Sequence, residues 1–234
     1  MKKRIWELDA FRGICIIGVV LVHFVYDLVE LFDVVDWDYP VWFSYIKAYG
    51  GTLFLVLSGL CVTLGSHSVR RGLIVVGGGM LCTLATFLMF RFGGFSQSIM
   101  IYFGVLHCLG SCMLLWSMYK GLPWWALLFH GAVLTAAGFL INEMAAPEPW
   151  MVTIGFRLRG FASSDYFPLL PNFGFFLTGA ALGRLLYKKK QSLIPAITEK
   201  TALVRPFCFC GRHSLWIYLI HQPVLAGICY LLTL

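Results

Sequence analysis

The chain has 234 residues, 59% of them hydrophobic, 16% aromatic and 12% charged, with a formal net charge of +7. A soluble domain carries about 25% charged residues, so this composition excludes an ordinary soluble fold and describes a chain immersed in a lipid bilayer. The positive charge is not a nucleic-acid surface either. The Lys and Arg residues form short clusters beside apolar runs rather than a stripe on a soluble face, and no nucleic-acid partner is expected.

The first apolar run, Leu8 to Leu31, is long enough to cross a bilayer, which takes about 20 residues at ~1.5 Å each. The basic residues before it resemble the start of a signal peptide. Glu7 and Asp9 interrupt that pattern, the apolar part is too long and no A-x-A-like site follows, so a retained first span is expected. The run carries Arg12, His23 and Asp27. Ionisable groups at membrane depth cost about 2.5–3.5 kcal/mol or more, so they face a protein interior and mark function. Arg12 and His23 are separated by close to three turns at about 3.6 residues per turn and project from one face. Asp27 lies one turn beyond His23, within its reach. A buried imidazole with a carboxylate beside it is what a general base needs, because the carboxylate orients the ring and stabilises the imidazolium. A His–Asp hydrogen bond that only packs helices is the competing reading.

Six further spans follow, giving about 8–32, 41–65, 70–91, 99–119, 123–142, 169–187 and 212–233 in all. The second holds Gly50, Gly51, Ser58 and Gly59, small residues that let helices approach and, at Ser58, hydrogen-bond across the contact. The third opens with Arg70-Arg71 and contains Gly77-Gly78-Gly79, a helix break or a close contact. Arg91 at its far end snorkels or holds an anionic acceptor group. In the fourth, His107 stands some eight residues from the outer end, ~12 Å deep and level with His23, as a second acid/base group or an oxyanion donor. The fifth, with Trp124, Trp125 and His130, reads as scaffold.

Residues 143–168 form the one long loop, the kind that serves as a lid or binding segment. Its Ser164-Asp165-Tyr166 leads through Pro168 and Pro171 into the sixth span. Asp165 binds a hydroxyl or amine there, or caps a helix. Gly179 and Gly183 in that span form a G-x-x-x-G contact pattern. The basic stretch from Lys188 to Arg205 sets topology or attracts a phosphorylated donor. The last span holds Tyr218, His221 and Gln222, a polar cluster that implies a wet cavity or a helix–helix hydrogen bond, with Pro223 able to kink it.

Basic residues, from Lys2 and Lys3 to Lys188–Lys190, Arg205 and Arg212, occupy alternate gaps, and Asp33, Asp36, Asp38, Glu143, Glu148 and Asp165 the others. The positive-inside rule then places the N-terminus in the cytoplasm and, with an odd number of spans, the C-terminus outside. The eight cysteines sit mostly in apolar runs without a C-x-x-C pair and read as small apolar residues, so no metal site is expected. No internal repeat of the transporter type is evident. The expected fold is all-α, a polytopic integral membrane helix bundle of about seven transmembrane helices, as a single domain over residues 1–234.

Several stretches resemble a known family. RIWELDAFRGICIIGVVLVHFVYDL is similar to the opening of bacterial members of the heparan-alpha-glucosaminide N-acetyltransferase catalytic-domain family, part of a transmembrane acyltransferase superfamily. An Arg and a His with ten residues between them, here Arg12 and His23, are shared with related membrane acyltransferases. FLVLSG around Ser58, FGVLHCLG around His107, the Asp165–Pro171 segment DYFPLLP and the closing GRHSLWIYLIHQP resemble the family's segments in order.

The resemblance implies a membrane acyltransferase of the bacterial inner membrane. An acetyl or other acyl group would pass from coenzyme A to an amino or hydroxyl group of a sugar or envelope glycan. His23, Asp27 and His107 would be catalytic, and Arg12, Ser58, Asp165, Tyr166, Tyr218, His221 and Gln222 would bind substrates. The chain is much shorter than the eukaryotic relatives that act on heparan sulfate, so an envelope glycan or small amino sugar is the expected acceptor. Acetyl-CoA is the expected donor, the lipid bilayer the surroundings, and further copies of the chain an open partner. A small polar-solute transporter or channel and a structural membrane protein are the alternatives.

Overall fold

A computed structural model describes residues 4–233, so Lys2 and Lys3 lie outside the described residues. Helix takes up 70% of the structure and no strand occurs among the described residues, as expected for a helical membrane bundle. The helices are α1 (Trp6–Tyr26), continued by a π-helical turn (Asp27–Leu31), α2 (Val41–Val62), α3 (Ser68–Phe92), α4 (Val105–Tyr119), α5 (Trp124–Asn142), α6 (Leu169–Leu186), α7 (Arg205–Arg212) and α8 (Ser214–Leu232). Six, with α1 and its π turn taken together, are long and apolar enough to cross a membrane; α4 is a shorter apolar helix.

Two boundaries differ from the sequence reading. The fourth helix begins at Val105 rather than near residue 99, because Gly104 is extended and Phe103 pairs with Tyr166 of the long loop. The last span does not run on from residue 212. A separate eight-residue helix, α7, ends at Arg212, and His213, whose N–H turns back to the Phe209 and Cys210 carbonyls, separates it from α8. Pro206 in the first turn of α7 suits a helix start, where the missing N–H is not needed.

The described residues form two compact units, one of residues 4–54 with 189–233 and one of residues 55–188. In the first, α1 lies against α7 at backbone distance. A Cβ on Gly13 would overlap the Phe207 carbonyl, and one on Gly211 would overlap the Asp9 carbonyl. The segment before α7 is strapped to the start of α1. The Glu7 carboxylate accepts the Ser192 hydroxyl at 2.8 Å and the Leu193 N–H at 2.7 Å, and the Trp6 indole N–H donates to the Ile194 carbonyl at 3.1 Å.

In the second unit small residues again set the helix spacing. A Cβ on Gly59 would overlap the Phe176 carbonyl of α6, and one on Gly179 the Val56 carbonyl of α2. The Gly77–Gly79 run does not break α3. Gly78 and Gly79 are buried, and a Cβ on Gly79 would meet the His107 ring at 2.9 Å, so the run makes a close contact. The long loop is a hydrogen-bonded layer. Arg157 N–H donates to the Met144 carbonyl at 2.9 Å, Phe167 N–H to the Phe103 carbonyl at 2.9 Å and Leu170 N–H to the Ile154 carbonyl at 2.8 Å. These bonds give part of its backbone partners in the neighbouring chain, which a segment beside an apolar bundle needs.

Gly211→Val removes the clearance between α7 and α1. Overpacking of this kind costs about 1–3 kcal/mol. The melting midpoint of the detergent-purified protein should fall by roughly 2–12 °C, whereas Gly227→Ala, inside α8 where a Cβ meets nothing, should not lower it.

Candidate functional site

The polar residues of the first and last spans come together in the first unit. Asp27 opens the π turn, its carbonyl accepting the Phe32 N–H at 2.9 Å, and its side chain is 0% exposed. The Gln222 amide nitrogen donates to both carboxylate oxygens, at 2.8 and 2.9 Å. An amide donor to a carboxylate is a charge-assisted pair, among the stronger hydrogen bonds in a protein.

His23 stands one turn before Asp27, yet the anticipated His23–Asp27 hydrogen bond is not the one formed. His23 Nδ1 lies 2.8 Å from the Val19 carbonyl of its own helix. A neutral imidazole has one N–H, and a carbonyl can only accept. The proton therefore belongs on Nδ1, and Nε2 carries a lone pair. With its proton committed to Val19, the ring has none for Asp27, whose oxygens go to Gln222.

His23 faces a second imidazole. The His23 and His221 rings are 4.9 Å apart, edge to face at 86°. His221 Nδ1 sits 2.5 Å from the Tyr218 carbonyl, so its proton is also on Nδ1. His221 is 8% exposed, and its Nε2 and the Gln222 carbonyl oxygen are buried without a hydrogen-bond partner. The Tyr218 ring lies 5.2 Å from the His221 ring.

Arg12 is about three turns from His23 along α1. Its guanidinium meets Asp9 at 3.3 Å and the Gly211 carbonyl at 3.5 Å, while Arg4 approaches the other Asp9 oxygen at 3.6 Å. Asp9, read from sequence only as an interruption, is buried between two guanidiniums.

The second unit holds His107, Asp165, Tyr166 and Ser58. Because α4 begins at Val105, His107 falls in its first turn rather than two turns in. Its Nδ1 accepts the Gly104 N–H at 3.2 Å, and its Nε2 is 3.3 Å from the Thr83 hydroxyl. That hydroxyl donates to the Ile101 carbonyl at 2.7 Å, so it accepts from His107 Nε2–H. Both ring nitrogens are occupied, and the residue is 6% exposed. His107 thus ties the start of α4 to α3.

Asp165 also serves α4. Its Oδ2 accepts the Val105 N–H at 3.0 Å, the role of a helix N-cap at the positive end of the helix dipole. The Tyr166 hydroxyl donates to the Val152 carbonyl at 2.7 Å, and burial pushes its phenol up to about 12. Ser58 is buried beside Gly59 in α2. Thr83 carried no signal in sequence, since its partners lie 18 and 24 residues away.

The family model described as Heparan-alpha-glucosaminide N-acetyltransferase, catalytic, matches residues 4–223 of the chain. No curated protein and no solved structure matches it.

Asp165→Ala leaves the Val105 N–H uncapped and should cost about 1 kcal/mol, a fall of roughly 2–4 °C in melting midpoint; Asp165→Asn, which keeps an acceptor, should recover most of it. Tyr166 titrates above the ~10 of an unfolded tyrosine. Its contribution to stability is complete below about pH 10 and is lost as pH rises from about 10 to about 12. The stability advantage of wild type over Tyr166→Phe, measured by chemical denaturation, should therefore shrink between about pH 10 and about pH 12.

Proposed function

The chain belongs to the heparan-alpha-glucosaminide N-acetyltransferase catalytic family, and from that premise we propose that it is a multi-pass membrane acetyltransferase acting on an amino or hydroxyl group of a sugar or envelope glycan. Acetyl-CoA is the donor that membership of the family brings. The cytoplasmic membrane of a bacterium is the setting, with Lys188–Lys190 on the cytoplasmic side and the 143–168 loop outside. The whole chain works as one acyltransferase domain.

One observation carries the reading. His23 has its Nδ1 proton fixed by the Val19 carbonyl, as His130 has by the Ala126 carbonyl, but of the two only His23 stands one turn from a buried carboxylate, Asp27, and 4.9 Å from a second imidazole, His221, which makes its Nε2 the base of a polar cluster within a membrane-spanning helix. As the acceptor nitrogen or oxygen attacks the thioester carbonyl, Nε2 takes its proton. The new C–N or C–O bond forms, the C–S bond breaks, and the proton ends on the departing sulfur. The acyl-carrier variant has Nε2 attack the thioester first and pass the acyl group on. Asp27, held by Gln222, supplies a buried negative charge one turn from the ring that favours the imidazolium.

The remaining residues take supporting roles. Arg12 and Arg4, grouped around Asp9, offer positive charge near the start of α1 for donor phosphates. His107 and Asp165 hold the first turn of α4 and act through its position, with Tyr166 fixing the loop beside them. Ser58 is a buried hydroxyl on α2, and Tyr218 orients His221 through its carbonyl.

Transfer of labelled acetyl from acetyl-CoA to glucosamine by the purified protein in nanodiscs tests this. His23→Gln should lower kcat by about 10²–10⁴-fold, the range for loss of a general base, with Asp27→Asn intermediate. Undiminished transfer by His23→Gln, or solute flux into liposomes without any acetyl transfer, overturns it.

A further inference from the structure

Glu30, on the same π turn as Asp27, pairs with Lys47 of α2. The pair is more than a surface bridge. The Lys47 ammonium also stands 4.8 Å from the centre of the Tyr26 ring and 5.2 Å from that of Tyr39. Aromatic ring faces attract a cation because their quadrupole is negative there. A carboxylate and two tyrosine rings around one ammonium make a cage that suits a cation with N–H groups to donate. Tyr26 and Glu30 lie on the stretch of chain that carries His23 and Asp27, and Tyr26 is one turn beyond His23. The present occupant is loosely held. The Lys47 and Glu30 side chains are 37% and 39% exposed, and an ion pair so open to its surroundings is weak. Beside the cage, with Tyr39 as a shared wall, lies an open groove of about 380 Å³, within the size range of small-ligand sites. Ser44, Tyr45 and Tyr49 line it, and the Tyr45 and Tyr49 rings stack at 6.2 Å while both stay mostly exposed.

We propose that Tyr26, Glu30 and Tyr39 form a recognition site for the primary ammonium of an amino-sugar acceptor, and that Lys47 is a tethered stand-in which such a ligand displaces. The ligand's ammonium donates to the Glu30 carboxylate between the two tyrosine rings, in the place Lys47 takes in the free protein. Lys47 carries its charge on a flexible four-carbon stem and swings out. The sugar ring lies in the groove, with its C–H faces against the tyrosine rings and its hydroxyls in reach of Ser44. A sugar with a hydroxyl in place of the amine brings no cation to Glu30 and leaves Lys47 where it is. The cage therefore selects an amine-bearing acceptor over one that offers hydroxyls alone. It binds and selects, and makes or breaks no bond. The acceptor's identity rests on the acetyl-transfer reading, whereas binding in the cage is measured without acetyl-CoA, so the two fail separately.

Ligand-observed NMR titration gives the Kd of glucosamine and of glucose for the purified full chain in a polyoxyethylene detergent, which brings neither an ammonium nor a sugar. Wild type should bind glucosamine more tightly than glucose. Glu30→Gln should weaken glucosamine binding by about tenfold, the worth of a partly exposed hydrogen bond to a charged group. Lys47→Met, which empties the cage, should tighten it by about two- to fivefold, the worth of an exposed ion pair that no longer competes. Glucose should bind both variants as it binds wild type. The opposite signs carry the test, because a pair that only fastened the π turn to α2 would weaken binding in both variants. Equal binding of the two sugars by wild type, a comparison that needs no variant, overturns the site, as does no binding of either. So does glucosamine binding that is unchanged or weaker in Lys47→Met, or unchanged in Glu30→Gln, or changes that glucose shares. The expected pattern in a protein that transfers no acetyl group overturns the functional reading and leaves the cage standing.

Discussion

Inside a membrane-spanning segment there is no water to complete a hydrogen bond, so each polar group must find its partner in the protein. That constraint organises both units. Asp27 sits in an otherwise apolar run and is met by the Gln222 amide across the gap between the π turn and α8. At the start of α4, N–H groups with no helical partner are met by Asp165 and His107. Where the rule is kept, the group has a structural job. Where it is broken, at His221 Nε2 and the Gln222 carbonyl oxygen, two orphans stand side by side in sequence beside a third polar group, His23.

Close approach of backbones is the second constraint. Lipid tails are as apolar as leucine side chains, so helices gain little by burying large residues against each other and more by shortening the distance. Gly13 and Gly211 do this for α1 and α7, and Gly59 and Gly179 for α2 and α6. The G-x-x-x-G of Gly179 and Gly183 was legible as a contact pattern because its spacing is local. That the partner of Gly179 would be Val56 was not, since nothing in a helix sequence names the helix it will meet.

The apolar runs revealed the spans, because crossing a bilayer demands length and composition that little else produces. Helix ends were less legible. The start of α4 is determined by a carboxylate 60 residues away, and no local pattern around Val105 announces it. Pro206 suits the start of α7 but does not say where that helix ends, and no residue around His213 announces the break before α8. The spacing of His23 and Asp27 was correct and the inferred pair was not. A ring nitrogen with one proton is claimed by whichever acceptor is nearest, and Val19 is that acceptor. The expected depth of His107 rested on a helix starting near residue 99; the start at Val105 puts it in the first turn, where its ring meets the Gly104 N–H and the Thr83 hydroxyl.

The clamp between Asp27 and Gln222 joins residues 195 positions apart. At about 5–20 residues per second, a ribosome needs roughly 10–40 s to make the second after the first. Throughout that time the opening helix must dwell in the translocation machinery or the bilayer with its carboxylate unmatched, a penalty of about 2.5–3.5 kcal/mol at mid-helix. Its insertion is thus provisional until Gln222 has been made. Biogenesis of this protein accordingly depends on whatever shelters a half-finished helix from premature release or degradation.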